Sequence, residues 1–329
     1  MGNDRSLRRV IKSKNTVLIA ILAAVVLMFY LLNSNYLSGD NLRGVMQSMS
    51  ITGIMAVGAA CLLIGGGIDL ATSMEALFGG VLCGLLIKAG IPWPLSVLLT
   101  LAAGGLIGGA VAYLVAHLGM MPFIASIALS NVIRGVNLVM TNAQNVPVPT
   151  EGFWVLGSSN VLNIIPTPFV IMLILLVIYG LVLHKTQFGR NIYLIGGNQF
   201  AARLSGLSPK KIRTILYVNN GVLAAFSGIV VASRMHSASP SSLSDSQMDA
   251  ITAAILGGVS FMGGSGGMGG CLIGILLLNF FNNGLNVLSL ESHWQTIAQG
   301  ALLIAALTMD YFNEKSREKS LKAGAALKQ

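Results

Sequence analysis

The sequence predicts an all-α fold: a polytopic membrane protein with about ten transmembrane helices, some of them broken by Gly-rich segments. Three observations carry that expectation. Of 329 residues, 54% are hydrophobic and only 9% charged, and the mean hydropathy of +0.77 is far too high for a soluble domain. Apolar runs close to the length of about twenty residues that a bilayer core demands recur along the whole chain. The net charge of +9 matters for where it sits: sixteen of the twenty Lys and Arg fall before Thr16, between Lys185 and Arg213, or after Asp310. Cations gathered between apolar spans read as membrane topology and not as a nucleic-acid patch, so membrane lipid is expected around the chain and no nucleic acid.

Taken in order, the apolar spans are expected near 17–32, 45–64, 70–87, 95–116, 122–140, 168–184, 212–232, 250–262, 266–281 and 295–310. They divide the chain into a basic N-terminus (1–16), a transmembrane domain (17–311) and a basic tail (312–329). An even number of spans puts both termini on one side, and their positive charge makes that side the cytoplasm. The basic stretch 185–213 then also falls inside, while the loops 33–43, 141–167 and 233–247 fall outside and hold only Arg43 and Arg234 as basic residues. The first run follows a basic N-terminus as a signal peptide does. It continues as Asn33-Ser34-Asn35-Tyr36 with no Ala-x-Ala-like end, so it is read as a retained span.

The fourth span carries Gly104, Gly105, Gly108 and Gly109, two overlapping G-x-x-x-G pairs that allow helices to approach closely. Cys61, Cys83 and Cys271 show no pairing or metal-ligand spacing and are read as packing residues. His117, His184, His236 and His293 stand apart with no metal spacing and receive no role. Gly264 to Gly269 matches G-x-G-x-x-G, but without a preceding strand or a following acidic residue it is no nucleotide site. No G-x-x-x-x-G-K-[ST] occurs either, so ATP hydrolysis by a P-loop is not expected of this chain.

Ionisable and amide groups inside the spans are the candidates for a solute path, because such groups are costly in a bilayer. Asp69 lies in Ile64-Gly65-Gly66-Gly67-Ile68-Asp69-Leu70-Ala71-Thr72-Ser73-Met74-Glu75. Two readings stand there: a path residue, or helix capping by Asp69 and by a Thr72–Glu75 capping box. Arg134 either lines the path or snorkels to the outer face, and Asn137, three residues on, is expected to share its helix face. Asp249 reads as an N-cap placed at the outer mouth of the path. Asn282, Asn283 and Asn286 offer amides to hydroxyls or to neighbouring helices. Finally, 78–86 and 268–276 look alike, each following a glycine-rich break, and paired broken segments point to a substrate path.

The stretch Lys185–Arg213, KTQFGRNIYLIGGNQFAARLSGLSPKKIR, has six cations, no acid, and a short helix-forming run between glycine hinges. By itself it is either an ordinary cytoplasmic loop or a partner-docking helix. Its Thr186, Phe188, Gly189, Arg190, Tyr193, Gly196, Gly197, Asn198, Ala201, Ala202, Arg203, Leu204, Ser205 and Gly206 match a motif, and the loop resembles the ATPase-docking loop of permease subunits in bacterial ABC importers for simple sugars. These ribose, xylose and galactoside permeases belong to the branched-chain amino acid/sugar permease superfamily. Phe200 departs from the family's Glu. Gly66 to Leu70, Pro122 to Gly135, Asp249 to Gly258 and Asn282 to Asn286 resemble further family motifs, with departures at Ala71, Ser126 and Gln247.

The resemblance implies a non-enzymatic transport subunit of the bacterial cytoplasmic membrane that imports a monosaccharide or related small polar solute. It implies ATPase coupling through Gly189, Arg190, Gly196, Gly197, Asn198, Ala201, Ala202, Ser205 and Gly206, with ATP bound by a separate cytoplasmic ATPase and no cofactor or metal on this chain. It implies two further partners: a second permease chain, identical or paralogous, and an extracytoplasmic sugar-binding protein. The alternative is an ion-coupled secondary transporter with Asp69, Glu75 and Arg134 as a charge relay. A membrane-embedded enzyme finds no H-E-x-x-H, no G-x-S-x-G and no clustered His and Asp.

Overall fold

A computed structural model describes residues 14–243 and 246–326. Apart from Lys14 to Thr16, the expected basic N-terminus lies outside the described residues. The chain forms α1 (Lys14–Leu32), α2 (Gly39–Ile64), α3 (Thr72–Lys88), α4 (Trp93–Ala112), α5 (Pro122–Thr141), α6 (Glu151–Trp154), α7 (Thr167–Lys185), α8 (Gln187–Gly197), α9 (Gln199–Leu204), α10 (Pro209–Met235), α11 (Ser246–Leu256), α12 (Met268–Val287) and α13 (Ser292–Ala326). Tyr113–His117 prolongs α4 by a π-helical turn. Among the described residues six helices are long and apolar enough to cross a membrane: α2, α4 with its π turn, α5, α7, α10 and α12. The protein is therefore a polytopic helical membrane protein.

The other expected spans are helical too, but shorter or more polar. α3 has 17 residues and α11 only 11. The eighth span, expected to run to 262, stops at Leu256 because Gly258 turns left-handed at φ +83° and closes the helix. α13 runs unbroken through 311 to Ala326.

The centre of the bundle is α10, which packs on α2, α3 and α4. Small residues permit this. A β-carbon on Gly104 would stand 2.5 Å from Ala225 Cβ and 2.7 Å from Gly221 O, and one on Gly108 would collide with Tyr217 O. The expected G-x-x-x-G approach is thus a contact of α4 with α10, made by Gly104 and Gly108, while Gly105 and Gly109 face Val218 and Val222 side chains. A β-carbon on Gly80 of α3 would likewise stand 2.9 Å from Gly228 O.

The long loops 141–167 and 233–247 knit together. β1 (Val146–Pro147) pairs antiparallel with β4 (Ser237–Ala238), and β2 (Asn160–Val161) pairs with β3 (Ile165–Pro166). Trp154 donates from Nε1 to Val148 O at 2.8 Å and stacks on His236 with ring centroids 4.1 Å apart. Ser233 Oγ donates to Phe153 O at 2.7 Å.

Neighbouring glycines give a direct check of the packing. Gly108→Ala is expected to cost about 1–3 kcal/mol through overpacking. Gly109→Ala, whose β-carbon would meet only Val218 at 3.7 Å, should be neutral or stabilising by up to about 1 kcal/mol through helix propensity. Thermal unfolding of the two purified variants checks both.

Candidate functional site

Two interrupted helices meet the end of α8. α2 stops in a Schellman turn: Gly66, at φ +72°, donates to Leu63 O at 2.8 Å and Gly67 donates to Leu62 O at 2.9 Å. α11 stops the same way, with Gly258 donating to Ile255 O at 2.8 Å and Val259 to Ala254 O at 3.1 Å. The two breaks that follow, 65–71 and 257–267, are joined by Gly264 N donating to Ile64 O at 2.8 Å.

Gly196 of α8 lies on that joint. A β-carbon there would collide with Ile64 O and stand 2.7 Å from Gly264 N. Gly263 and Gly264, at φ +92° and +70°, close from the other side, where β-carbons would stand 2.9 Å from Gly196 O and 2.6 Å from Gly197 Cα. Tyr193 OH donates to Gly266 O at 2.8 Å. Three backbones touch with no side chain between them, so a shift of α8 must move both breaks or open the contact.

The loop that carries α8 is built by its own sequence. Thr186 caps α8 by accepting from Gly189 N at 3.0 Å, and Gly189 lies so close to the last turn of α7 that a β-carbon would collide with Val182 O. Asn198 caps α9 by accepting from Ala201 N at 3.0 Å. Ser205 Oγ returns to Ala201 O at 3.0 Å, and Gly206, at φ +81°, ends α9 in a third Schellman turn. Ala202 is buried at 3% exposure and fastens α9 to the bundle, while Arg190 and Ala201 face outward. Phe200 and Leu204 share one face of α9 and are 70% and 76% exposed.

A polar cluster lies at the C-terminal end of the first break. Asp69 is buried; its Oδ1 accepts from Ala71 N at 2.8 Å and its Oδ2 from Asn220 Nδ2 at 3.2 Å. Asn220 also donates to Thr72 Oγ1 at 3.0 Å, and Tyr217 OH donates to Ile68 O at 3.0 Å. Asp69 therefore does serve the start of α3, through an Asx turn. The Thr72–Glu75 capping box does not form. α3 begins after Ala71, Thr72 Oγ1 donates back to Asp69 O at 3.1 Å, and neither oxygen of the wholly buried Glu75 has a hydrogen-bond partner among the described residues.

The remaining path candidates are spread out. Asn137 is wholly buried and donates to Met74 O at 3.3 Å, whereas Arg134 is exposed, so the two do not present one face. Asp249 is not an N-cap, because α11 already begins at Ser246 and Asp249 sits inside its first turn. Asn283 exchanges two 2.9 Å hydrogen bonds with Asn41 and so ties α12 to α2. Next to it, the Phe29 ring of α1 fills the gap left by Gly284, and Tyr36 OH donates to Phe280 O at 2.6 Å. Asn282 is half-buried with its Oδ1 unpartnered among the described residues, and Asn286 is exposed. Asp69 and Asn137 thus gather at α3, while Asn282, Asn283 and Asn286 lie together on the last turns of α12, where Asn283 joins α2.

Sequence reasoning missed Asn220 and Gly263–Gly264. An amide pair, Asn219-Asn220, inside the seventh apolar span was the available signal for the first. The left-handed glycines lie in a run that the sequence marks as a glycine-rich break and a rejected nucleotide motif, neither of which tells which backbone it meets.

Gly196→Ala is expected to open the joint while Gly197→Ala, whose β-carbon would have 3.9 Å of clearance, leaves it closed. Hydrogen exchange at the Gly264 amide reads this: protection should fall about tenfold or more in the first variant, equivalent to about 1.4 kcal/mol or more, and stay unchanged in the second.

Comparison with known proteins bears on what this joint belongs to. The family described as the permease component of branched-chain amino acid transport systems matches residues 41–307. A ribose import permease protein of Haemophilus influenzae is 33% identical over 311 residues, covering 93% of this chain and 94% of that protein. One from Escherichia coli is 35% identical over 303 residues, covering 91% and 93%. A xylose transport system permease protein of Escherichia coli is 31% identical over an alignment of 358 residues, covering 89% and 91%. No solved structure gives a significant match. With α8 and α9 held between membrane-length helices and matched from α2 into α13, the chain belongs to this permease family and is a transport component of an ABC importer, not an enzyme.

Proposed function

We propose that this chain forms the membrane path of an ABC importer for a monosaccharide or related small polar solute, and that α8 and α9 transmit the ATPase stroke to the path. The observation that carries the coupling role is the position of Gly196, in backbone contact with both helix breaks while the next helix shows Phe200 and Leu204 to the outside. Those two side chains form a small apolar knob suited to a groove on a cytoplasmic ATPase, and Phe200 supplies it where the resembling permeases have a carboxylate. ATP is then bound by that partner.

The sugar reading is supported by the names of the ribose and xylose permeases above and by the chemistry around α3. Glu75 and Asn137 Oδ1 are buried acceptors without partners among the described residues, and Gln247 Oε1 is a third, on a residue whose backbone N–H donates to Ser73 Oγ at 2.6 Å. Hydroxyl donors on a polyol satisfy such acceptors. Asp69, Arg134, Asn137, Asp249, Asn282, Asn283 and Asn286 are the path residues in this reading, completed by a second permease chain and fed by an extracytoplasmic binding protein. About ten spans with both termini in the cytoplasm place the α8–α9 loop on the ATPase side. The ion-coupled alternative lacks its relay, because no ion pair links Arg134 to Asp69 or Glu75 among the described residues.

Uptake of a panel of radiolabelled monosaccharides by cells that express the chain with its ATPase and binding protein tests the proposal. Ala202→Asp and Phe200→Asp should each lower uptake about tenfold or more, with the amount of inserted protein unchanged. Full uptake by both variants would contradict the coupling role.

A further inference from the structure

Between the turn joining α4 to α5 and the turn from α9 into α10 lies a cleft of about 390 Å³. One wall is apolar, formed by residues such as Val115, Met121 and Pro122, and the other carries Arg203, Lys210 and Arg213. Gln199 and His117 also line it, and no acidic residue does. From Ala76 to Ser244 the sequence holds a single acidic residue, Glu151, which lies in the outer segment with α6. Among the described residues none of the three cations forms an ion pair. Arg213 is the most constrained of them: its Nε is buried without a hydrogen-bond partner, and its Nη2 reaches only Gly66 O at 3.5 Å.

The place of the cleft narrows the ligand. Pro122 and Pro209 open α5 and α10, two of the membrane-length helices, so the cleft lies where these helices leave the bilayer. Met121 beside it is 70% exposed. A ligand there meets cations on one wall and apolar atoms on the other. A free phosphate uses only the first; a phospholipid uses both.

We propose that this cleft holds the phosphate of an anionic phospholipid headgroup, with Arg203, Lys210 and Arg213 around the phosphate and Met121 and Pro122 against the glycerol and acyl chains. The inference goes beyond the proposed function but rests on its orientation, which puts the α8–α9 loop at the anionic cytoplasmic leaflet. Arg203 belongs to α9 and Arg213 touches the Gly66 carbonyl, so the lipid bridges the docking helix and the glycine joint.

Native mass spectrometry of the intact purified chain, titrated with phosphatidylglycerol or phosphatidylcholine, tests this without any ATPase. The wild type should retain one phosphatidylglycerol per chain in preference to phosphatidylcholine. Arg203→Gln/Arg213→Gln should weaken that binding about tenfold or more, while Lys185→Gln/Lys211→Gln, which removes equal charge from the same loop outside the cleft, leaves it unchanged. Equal retention of both lipids by the wild type, a comparison that needs no variant, overturns the proposal. So does wild-type retention by the arginine variant. Displacement of phosphatidylglycerol by inorganic phosphate or glycerol 3-phosphate at equal concentration would make the ligand a free phosphate, and this too overturns the lipid assignment. Failure on any of these counts leaves ATPase docking, which uptake measures, untouched.

Discussion

The joint between α8 and the two helix breaks depends on backbone touching backbone at Gly196, and the proposed coupling rests on that joint. A packed side chain has rotamers and can absorb a displacement of a few tenths of an ångström; a peptide plane against two other peptide planes cannot. The break after α2 and the break before α12 are also tied to each other through the Ile64 carbonyl and the Gly264 amide. A push on α8 therefore reaches both halves of the molecule at one point. Glycine is needed at Gly66, Gly263 and Gly264 for a second reason, since each holds a positive φ that other residues adopt at a cost.

The polar groups sunk in the bundle follow from the same breaks. Interrupting α2 and restarting as α3 frees backbone amides and carbonyls that water cannot reach; Asp69, Thr72 and Tyr217 answer them, and Asn220 holds the Asp69 and Thr72 side chains in place. Much of the buried polarity near α3 is thus structural. What is left over among the described residues, the unpartnered acceptors of Glu75, Asn137, Gln247 and Asn220 Oδ1, has no structural use in the bundle, and in the proposed function the first three meet the hydroxyls of the solute.

Helix positions were legible because hydropathy reports apolar burial directly, although only six of the ten expected spans are long and apolar enough to cross a membrane among the described residues. The loop around Gly196 was legible because its polarity and missing acids set it apart from its flanks. Contacts between elements were not legible. A Thr and a Glu at capping-box spacing predicted a cap at Thr72, yet tertiary demand turned the Thr72 hydroxyl toward Asp69 O. The amides of α12 looked alike in sequence, but Asn283 is spent on Asn41 while Asn286 is exposed, and only packing against α1 and α2 separates them. Arg134 and Asn137 were placed together by helical spacing and parted by burial, because the packed face of α5 runs through Ile133, Asn137 and Thr141. The left-handed glycines at 263 and 264 needed the fold itself, since a glycine-rich run does not announce which backbone it will meet.

The measurement that bears most directly on the account is co-purification of the tagged chain in mild detergent, with identification of bound proteins and an ATPase assay on the eluate. The account predicts a soluble P-loop ATPase in the eluate, with activity, and its loss when residues 196–205 are scrambled while the chain still inserts. An eluate with no ATPase from the unaltered chain, or an ATPase that stays bound after scrambling, would contradict it.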